Sequence, residues 1–115
     1  MRKELVNRLP ELLQRFFSER LQSQQAVSAH TLASYRDTFR LLLKFVEQKT
    51  QRAPSQQRLQ DWNVSHLLQF LDHLEKQRGC RPRTRNSRLA AIRAFMRYVA
   101  QEEPAASSET ADEDK

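Results

Sequence analysis

A single glycine stands in this 115-residue chain, beside four prolines and one cysteine, and each scarcity removes a class of protein. An all-β domain needs turn residues at every strand junction, so so few glycines and prolines argue against one. With Gly79 alone, neither the glycine-rich dinucleotide fingerprint nor the phosphate-cradling P-loop can be written. Cys80 has no second cysteine to pair with inside the chain. His30, His66 and His73 do not stand with it at zinc-ligand spacing. The N-terminal stretch MRKELVNRLPELL is charged within its first four residues and interrupted at Arg8 and Pro10, so it lacks the apolar run of a signal peptide. No stretch approaches the roughly 18 to 20 apolar residues of a membrane span. No carboxylate pair, nucleophile with base, or metal cluster falls at catalytic spacing, so an enzyme reading of this chain is the weakest. The expected class is a soluble, cytoplasmic, reduced, mostly helical domain without metal or cofactor.

What is present is a strong asymmetry of charge. The 20 Lys and Arg against 14 Asp and Glu give +6 overall. Residues 1–100 carry 19 basic and 8 acidic side chains, net +11, whereas residues 101–115 carry 1 and 6, net −5. At 115 residues, 38% of them hydrophobic, the chain has room for one domain with one modest core.

Hydrophobic periodicity predicts four helices. The first spans about residues 10–24, with Pro10 suited to a first helical position and Leu12, Leu13, Phe16, Phe17 and Leu21 at helical spacing. In the second, Ser28 caps the start, Val27 and Leu32 occupy hydrophobic-staple positions, and Leu32, Tyr35, Phe39, Leu42, Leu43 and Val46 recur at steps of three and four up to about Lys49. Residues 50–61 are polar, contain Pro54 and read as the longest connection. A third helix is expected from Ser65 as cap, with Leu67, Leu68, Phe70, Leu71 and Leu74 inward and Gly79 as its stop. The fourth runs from about Pro82 to residue 103, with Leu89, Ile92, Phe95, Met96 and Val99 on one stripe. Residues 104–115 have no large apolar side chain and are expected to be a disordered acidic tail or linker.

The basic surplus concentrates at the fourth helix. Arg78, Arg81, Arg83, Arg85, Arg88, Arg93 and Arg97 follow one another with no acidic residue between Glu75 and Glu102. A solvated helix normally alternates its charges, so an unbalanced run calls for a partner that brings negative charge. At 100° per residue, Arg83, Asn86, Ser87, Ala90, Ala94, Arg97 and Gln101 fall opposite the apolar stripe, with Arg85 and Arg88 nearer its margin. Small Ala90 and Ala94 would let the helix approach a groove, with Arg and Asn placed to reach phosphates or base edges. The competing reading is a helical protein-interaction module whose basic face meets an acidic partner. Membrane-surface binding is weaker, because the apolar stripe of this helix is needed for the core. On the second helix His30, Ser34, Asp37, Arg40 and Lys44 project away from the core stripe. Leu41 and Phe45 lie near the same side, so either this helix packs over a wide arc or an apolar patch meets another chain.

Residues 28–46, SAHTLASYRDTFRLLLKFV, resemble the opening motif of the core-binding domain of the tyrosine recombinase (phage integrase, Xer-like) family: a Ser or Thr start, then Thr, Leu, Tyr, and spaced Leu and Phe. Residues 83–99, RTRNSRLAAIRAFMRYV, are similar to that domain's last motif, and VSHLLQFLDHLEKQRG between them fits its third helix and glycine stop. The likeness covers about residues 8–103 in order.

The resemblance implies an all-α, four- to five-helix SAM-like bundle that forms half of a C-shaped clamp on double-stranded DNA at a recombination half-site. In it the second and fourth helices face the major groove. By position this points to Thr31, Ser34 and Lys44 on the second helix, and to Arg83, Thr84, Arg85, Asn86, Arg88 and Arg93 on the fourth. It also implies that the first helix, through Phe16 or Phe17, meets a neighbouring protomer in a synapse. Strand exchange in the family needs a separate domain with an Arg, Lys, His-x-x-Arg and nucleophilic Tyr set. This chain has no His-x-x-Arg, and Tyr35 and Tyr98 match helix-motif aromatics. The chain alone is therefore expected to bind DNA and not to cut it.

Overall fold

The computed structural model describes residues 9–79 and 81–102. The expected acidic tail at 104–115 lies outside the described residues. Helix α1 (Leu9–Arg15) runs directly into a π-helical segment (Phe16–Gln24). Then come α2 (Ala29–Thr50), two 3-10 turns (Pro54–Gln56 and Leu59–Asp61), α3 (Val64–Lys76) and α4 (Pro82–Glu102). The fold is all-α, with no strand among the described residues.

The expected first helix thus changes its winding halfway. Leu9, Leu12, Leu13 and Phe16 keep the three-and-four step, but the next core residue, Leu21, comes five positions later. Hydrogen bonds spanning five residues, such as Gln25 N–H to the Arg20 carbonyl at 2.9 Å, widen the coil so that Phe16 and Leu21 both face inward.

Helix α2 begins as the sequence predicts. The Ser28 hydroxyl accepts from the Thr31 N–H at 3.1 Å, and Val27 and Leu32 are half-buried against the core. It ends on Gln51 in the left-handed region (φ 63°), whose N–H closes onto the Glu47 carbonyl. Of the two expectations for Leu41 and Phe45, the wide packing arc is what the structure shows. Phe45 is buried, with its ring 5.7 Å from Phe70 and 5.2 Å from His73 on α3.

The connection at 50–61 is less polar in space than in sequence. Leu59 is buried within it, and Trp62, which follows, is fully enclosed. The Trp62 indole N–H donates to Gln57 Oε1 at 3.0 Å, and Gln57 Nε2 donates to the Leu43 carbonyl at 2.8 Å, tying the loop back onto α2. Asp61, also buried, accepts from the Arg58 backbone N–H at 2.9 Å and pairs with the Arg58 guanidinium at 3.2 Å. The cap of α3 is Asn63 and not Ser65: Asn63 Oδ1 accepts from the His66 N–H at 2.9 Å, which starts the helix two residues early and leaves Ser65 exposed. Helix α3 ends at Lys76, and Gly79 takes φ +62°, a conformation glycine adopts at little cost, to turn the chain toward α4.

One core joins all four helices. Phe39 of α2 lies parallel to Trp62 at 5.9 Å between ring centroids, and Phe95 of α4 meets both edge-on, at 5.6 and 5.7 Å. Phe16 closes the cluster against Phe95 at 5.5 Å and Tyr98 at 5.4 Å.

Candidate nucleic-acid interface

Ala91, Ile92, Phe95, Tyr98 and Val99 turn α4 toward the core, and this fixes what its opposite face presents. Arg83, Asn86, Ala90, Arg93 and Arg97 are exposed along that outer face. Arg83, Arg93 and Arg97 have no carboxylate partner among the described residues, so their charge is offered to solvent or to a ligand. Ala94, expected on the same face, is instead half-buried against the core.

Arg85 and Arg88 lie at the margins of the outer face and have partners within the fold. Arg88 reaches α2, donating from Nη2 to Asp37 Oδ2 at 3.1 Å and from Nη1 to Thr38 Oγ1 at 3.2 Å. Arg85 reaches α3, its Nε 3.2 Å from Glu75 Oε2. The acid-free run in sequence is therefore partly neutralised in space by carboxylates from the neighbouring helices.

Arg88 ties α4 to Asp37 on the α2 face that also bears Ser34, while Lys44, farther along α2, lies at a cleft beside α3. Ser34, Lys44, Thr84 and Asn86 are exposed. Thr31 is half-buried, and its hydroxyl accepts from the Ser28 hydroxyl at 3.0 Å inside the helix cap. Of the nine residues the resemblance points to, six are open to a ligand, and Thr31, Arg85 and Arg88 are engaged inside the fold.

Two further cations join the surface. Arg97 was legible from the helical projection. Arg78 was not: it meets Lys44, from 34 positions earlier, only through the packing of α2 on α3, where both line a cleft of about 190 Å³ with Gln48 and His73.

The C-terminal end of α4 is tethered to the first helix. Arg15 pairs with Glu102 at 3.2 Å, and Arg20 donates to Gln101 Oε1 at 2.6 Å while covering the Tyr98 ring at 5.0 Å. Burial raises the Tyr98 phenol above the ordinary tyrosine value, and the charge Tyr98 would carry raises the Arg15 guanidinium. On the far side of α2, an apolar groove of about 470 Å³ opens between α2 and the first helix, with Leu13, Phe17 and Leu43 in it and Arg36 and Arg40 beside them.

The described residues contain no group of three or more His, Cys, Asp or Glu able to hold a metal ion, and no helix long and apolar enough to cross a membrane. Residues 13–103 match the family described as phage integrase, N-terminal SAM-like domain. The chain is 45% identical over 101 residues to a Sinorhizobium fredii protein whose name reads "Putative integrase/recombinase y4rC", covering 88% of this chain and 30% of that protein. It is 40% identical over 97 residues to another from the same organism, "Putative integrase/recombinase y4rD", covering 84% of this chain and 34% of that one. The chain thus spans about a third of the length of these curated relatives. No solved structure matches it.

Proposed function

The chain belongs to the phage integrase N-terminal SAM-like domain family, and from that premise we propose that it is the DNA-gripping domain of a tyrosine recombinase, holding one side of a duplex half-site. The observation that carries this reading is the outer face of α4. Three arginines without carboxylate partners among the described residues stand there, around Asn86 and Ala90, and α2 adds exposed Ser34 and Lys44. Phosphates would take the arginines, and the small side chain at Ala90 would let the helix settle into a groove where Asn86 reaches a base edge. Arg88 holds α2 and α4 in register so that both meet the same stretch of duplex. Strand exchange would fall to a catalytic domain in the longer protein. Binding by this domain alone is weak, since it supplies one arm of the clamp.

The groove beside Phe17 supports a second use for the first helix, contact with a neighbouring protomer on DNA.

Electrophoretic mobility shift at low salt tests the DNA reading. Duplex should be preferred over single strand, and four or five phosphate contacts should give a log–log salt slope of roughly −4. Association that is absent, or indifferent to salt, overturns it. Binding to acidic proteins in place of duplex would favour the interaction-module reading.

A further inference from the structure

The cleft between α2 and α3 gathers cations and is lined by no carboxylate. Lys44 and Gln48 enter it from α2, His73 from α3 and Arg78 from the turn that follows α3, and the buried rings of Phe45 and Phe70 complete its wall. The acids on the last turns of α3 are engaged elsewhere: Asp72 pairs with Lys76 at 3.3 Å and Glu75 with Arg85 at 3.2 Å. Lys44 and Arg78 have no carboxylate partner among the described residues. Cations brought together in this way repel one another until an anion sits between them, and an apolar wall strengthens the field that draws it in. An ammonium, a guanidinium, an imidazole and an amide are all donors, and a phosphate presents acceptor oxygens in several directions at once. The arginines of the α4 face stand singly on an open surface, whereas these groups converge from two elements on one volume of about 190 Å³.

We propose that this cleft is a phosphate seat that takes one backbone phosphate of the duplex, held between Lys44 and Arg78 with His73 and Gln48 as further donors. The identity of the occupant rests on the DNA-binding reading, and the anion seat does not. Its position suits a strand that borders the groove occupied by α4. A helix lying in a major groove about 12 Å wide has a phosphate strand on either side. Glu75, three residues before Arg78, holds Arg85 at the α3 margin of α4, so the cleft stands on that side of the helix. One phosphate seated there touches α2 and the end of α3 together and fixes where the strand passes relative to α4.

The test has two arms. In the first, without DNA, inorganic phosphate is titrated into the full chain at constant pH and ionic strength, with chloride as the reference anion. The His73 ring and Arg78 Nε–Hε resonances should move and saturate together, and in Lys44→Gln or Arg78→Gln the His73 shift should fall at least about threefold, since each variant removes a charged donor from the seat. In the second arm, each variant should weaken duplex binding at 50 mM salt about three- to tenfold, and the double variant should lower the salt slope by about 0.9, the value of one phosphate. Lys76→Gln, which removes a cation already paired with Asp72, should leave the slope unchanged. Urea midpoints should stay in place for Lys44→Gln and Arg78→Gln, because both side chains are exposed. A fall of about 1.8 in the double variant means two separate phosphates and overturns the shared seat. Unmoved His73 and Arg78 resonances overturn it too. Saturable phosphate binding with an unchanged duplex slope assigns the cleft to free phosphate and overturns the duplex occupant. If the unaltered chain binds no duplex, the DNA reading fails and takes that occupant with it, while the phosphate titration still decides whether the seat exists.

Discussion

Arg88 of α4 holds Asp37 of α2 at 3.1 Å and, through its other terminal nitrogen, the Thr38 hydroxyl at 3.2 Å. The Arg88 side chain is only 16% exposed whereas that of Asp37 is 47% exposed, so the two ends of the pair live in different surroundings. Thr38, buried beneath them, donates its own hydroxyl hydrogen bond to the Ser34 carbonyl at 3.0 Å. The pair is the polar hinge-pin between the two helices that carry the proposed DNA surface.

Replacing Arg88 with Ala should cost about 2 kcal/mol, because it removes packing and a charged hydrogen bond at a mostly buried site. Asp37→Asn should cost less than about 1 kcal/mol, since water can reach the site and the amide oxygen still accepts. Urea denaturation of both variants checks the asymmetry, and equal losses would contradict it.

Trp62→Ala should destabilise the domain by about 3 to 5 kcal/mol, the range for emptying a large aromatic site in a packed core. Trp62 is fully enclosed between Phe39 and Phe95, neither of which can collapse inward without losing its own partners. Gln57→Ala should cost about 1 to 3 kcal/mol by leaving the buried indole N–H unpaired. Circular dichroism at 222 nm follows both unfolding transitions, since Trp62 is the chain's only tryptophan.

The contrast between Trp62 and the helices shows what the sequence can reveal. The cap at Ser28, and the inward places of Phe39, Leu42 and Val46 on α2 and of Ile92, Phe95 and Val99 on α4, are local features written in spacing and residue type, whereas Leu89 and Met96 of the expected α4 stripe are only half-buried and Ala91 and Tyr98 are buried beside it. Gln57, Leu59 and Trp62 have no period to follow. Their burial depends on α2 lying above them, so a loop that reads as polar holds part of the core. The candidate site divides the same way. Exposure of Arg83 and Arg97 follows from the helical projection alone. The pairing of Arg85 with Glu75 and of Arg88 with Asp37 requires knowing which helices are neighbours, and the acid-free run around them concealed it.

Alkaline pH should weaken the fold through Tyr98. Its phenol has no hydrogen-bond partner among the described residues and its folded-state pKa is raised by burial, so the folded chain holds this proton more tightly than the unfolded one. The resulting stability is complete below the unfolded value of about 10 and is lost as pH rises through the folded value. Tyr98→Phe should be neutral or slightly stabilising at pH 7, since it removes an unsatisfied hydroxyl at little change in volume. The stability difference between the two proteins should then widen in favour of the phenylalanine variant above about pH 10. Parallel pH dependences of their urea midpoints would refute this role.

The arginines of the basic run should separate into two groups when each is changed to Gln and both stability and duplex affinity are measured. Arg83, Arg93 and Arg97 are exposed and carry no carboxylate partner among the described residues, so their loss should leave stability within about 0.5 kcal/mol. Each that meets a phosphate should lower the magnitude of the salt slope by about 0.9. Arg85 and Arg88 already neutralise Glu75 and Asp37, and their loss both destabilises the bundle and leaves an unpaired acid beside the proposed DNA path. Affinity should therefore fall for these two as well, through repulsion and a loosened α2–α4 pair. Adding E75Q to R85Q, or D37N to R88Q, should recover part of that affinity, whereas neither acid change should rescue R93Q. If R93Q and R97Q leave the slope unchanged while R85Q lowers it by a full contact at unaltered stability, the DNA path runs along the α3 margin of α4 and not over its outer face.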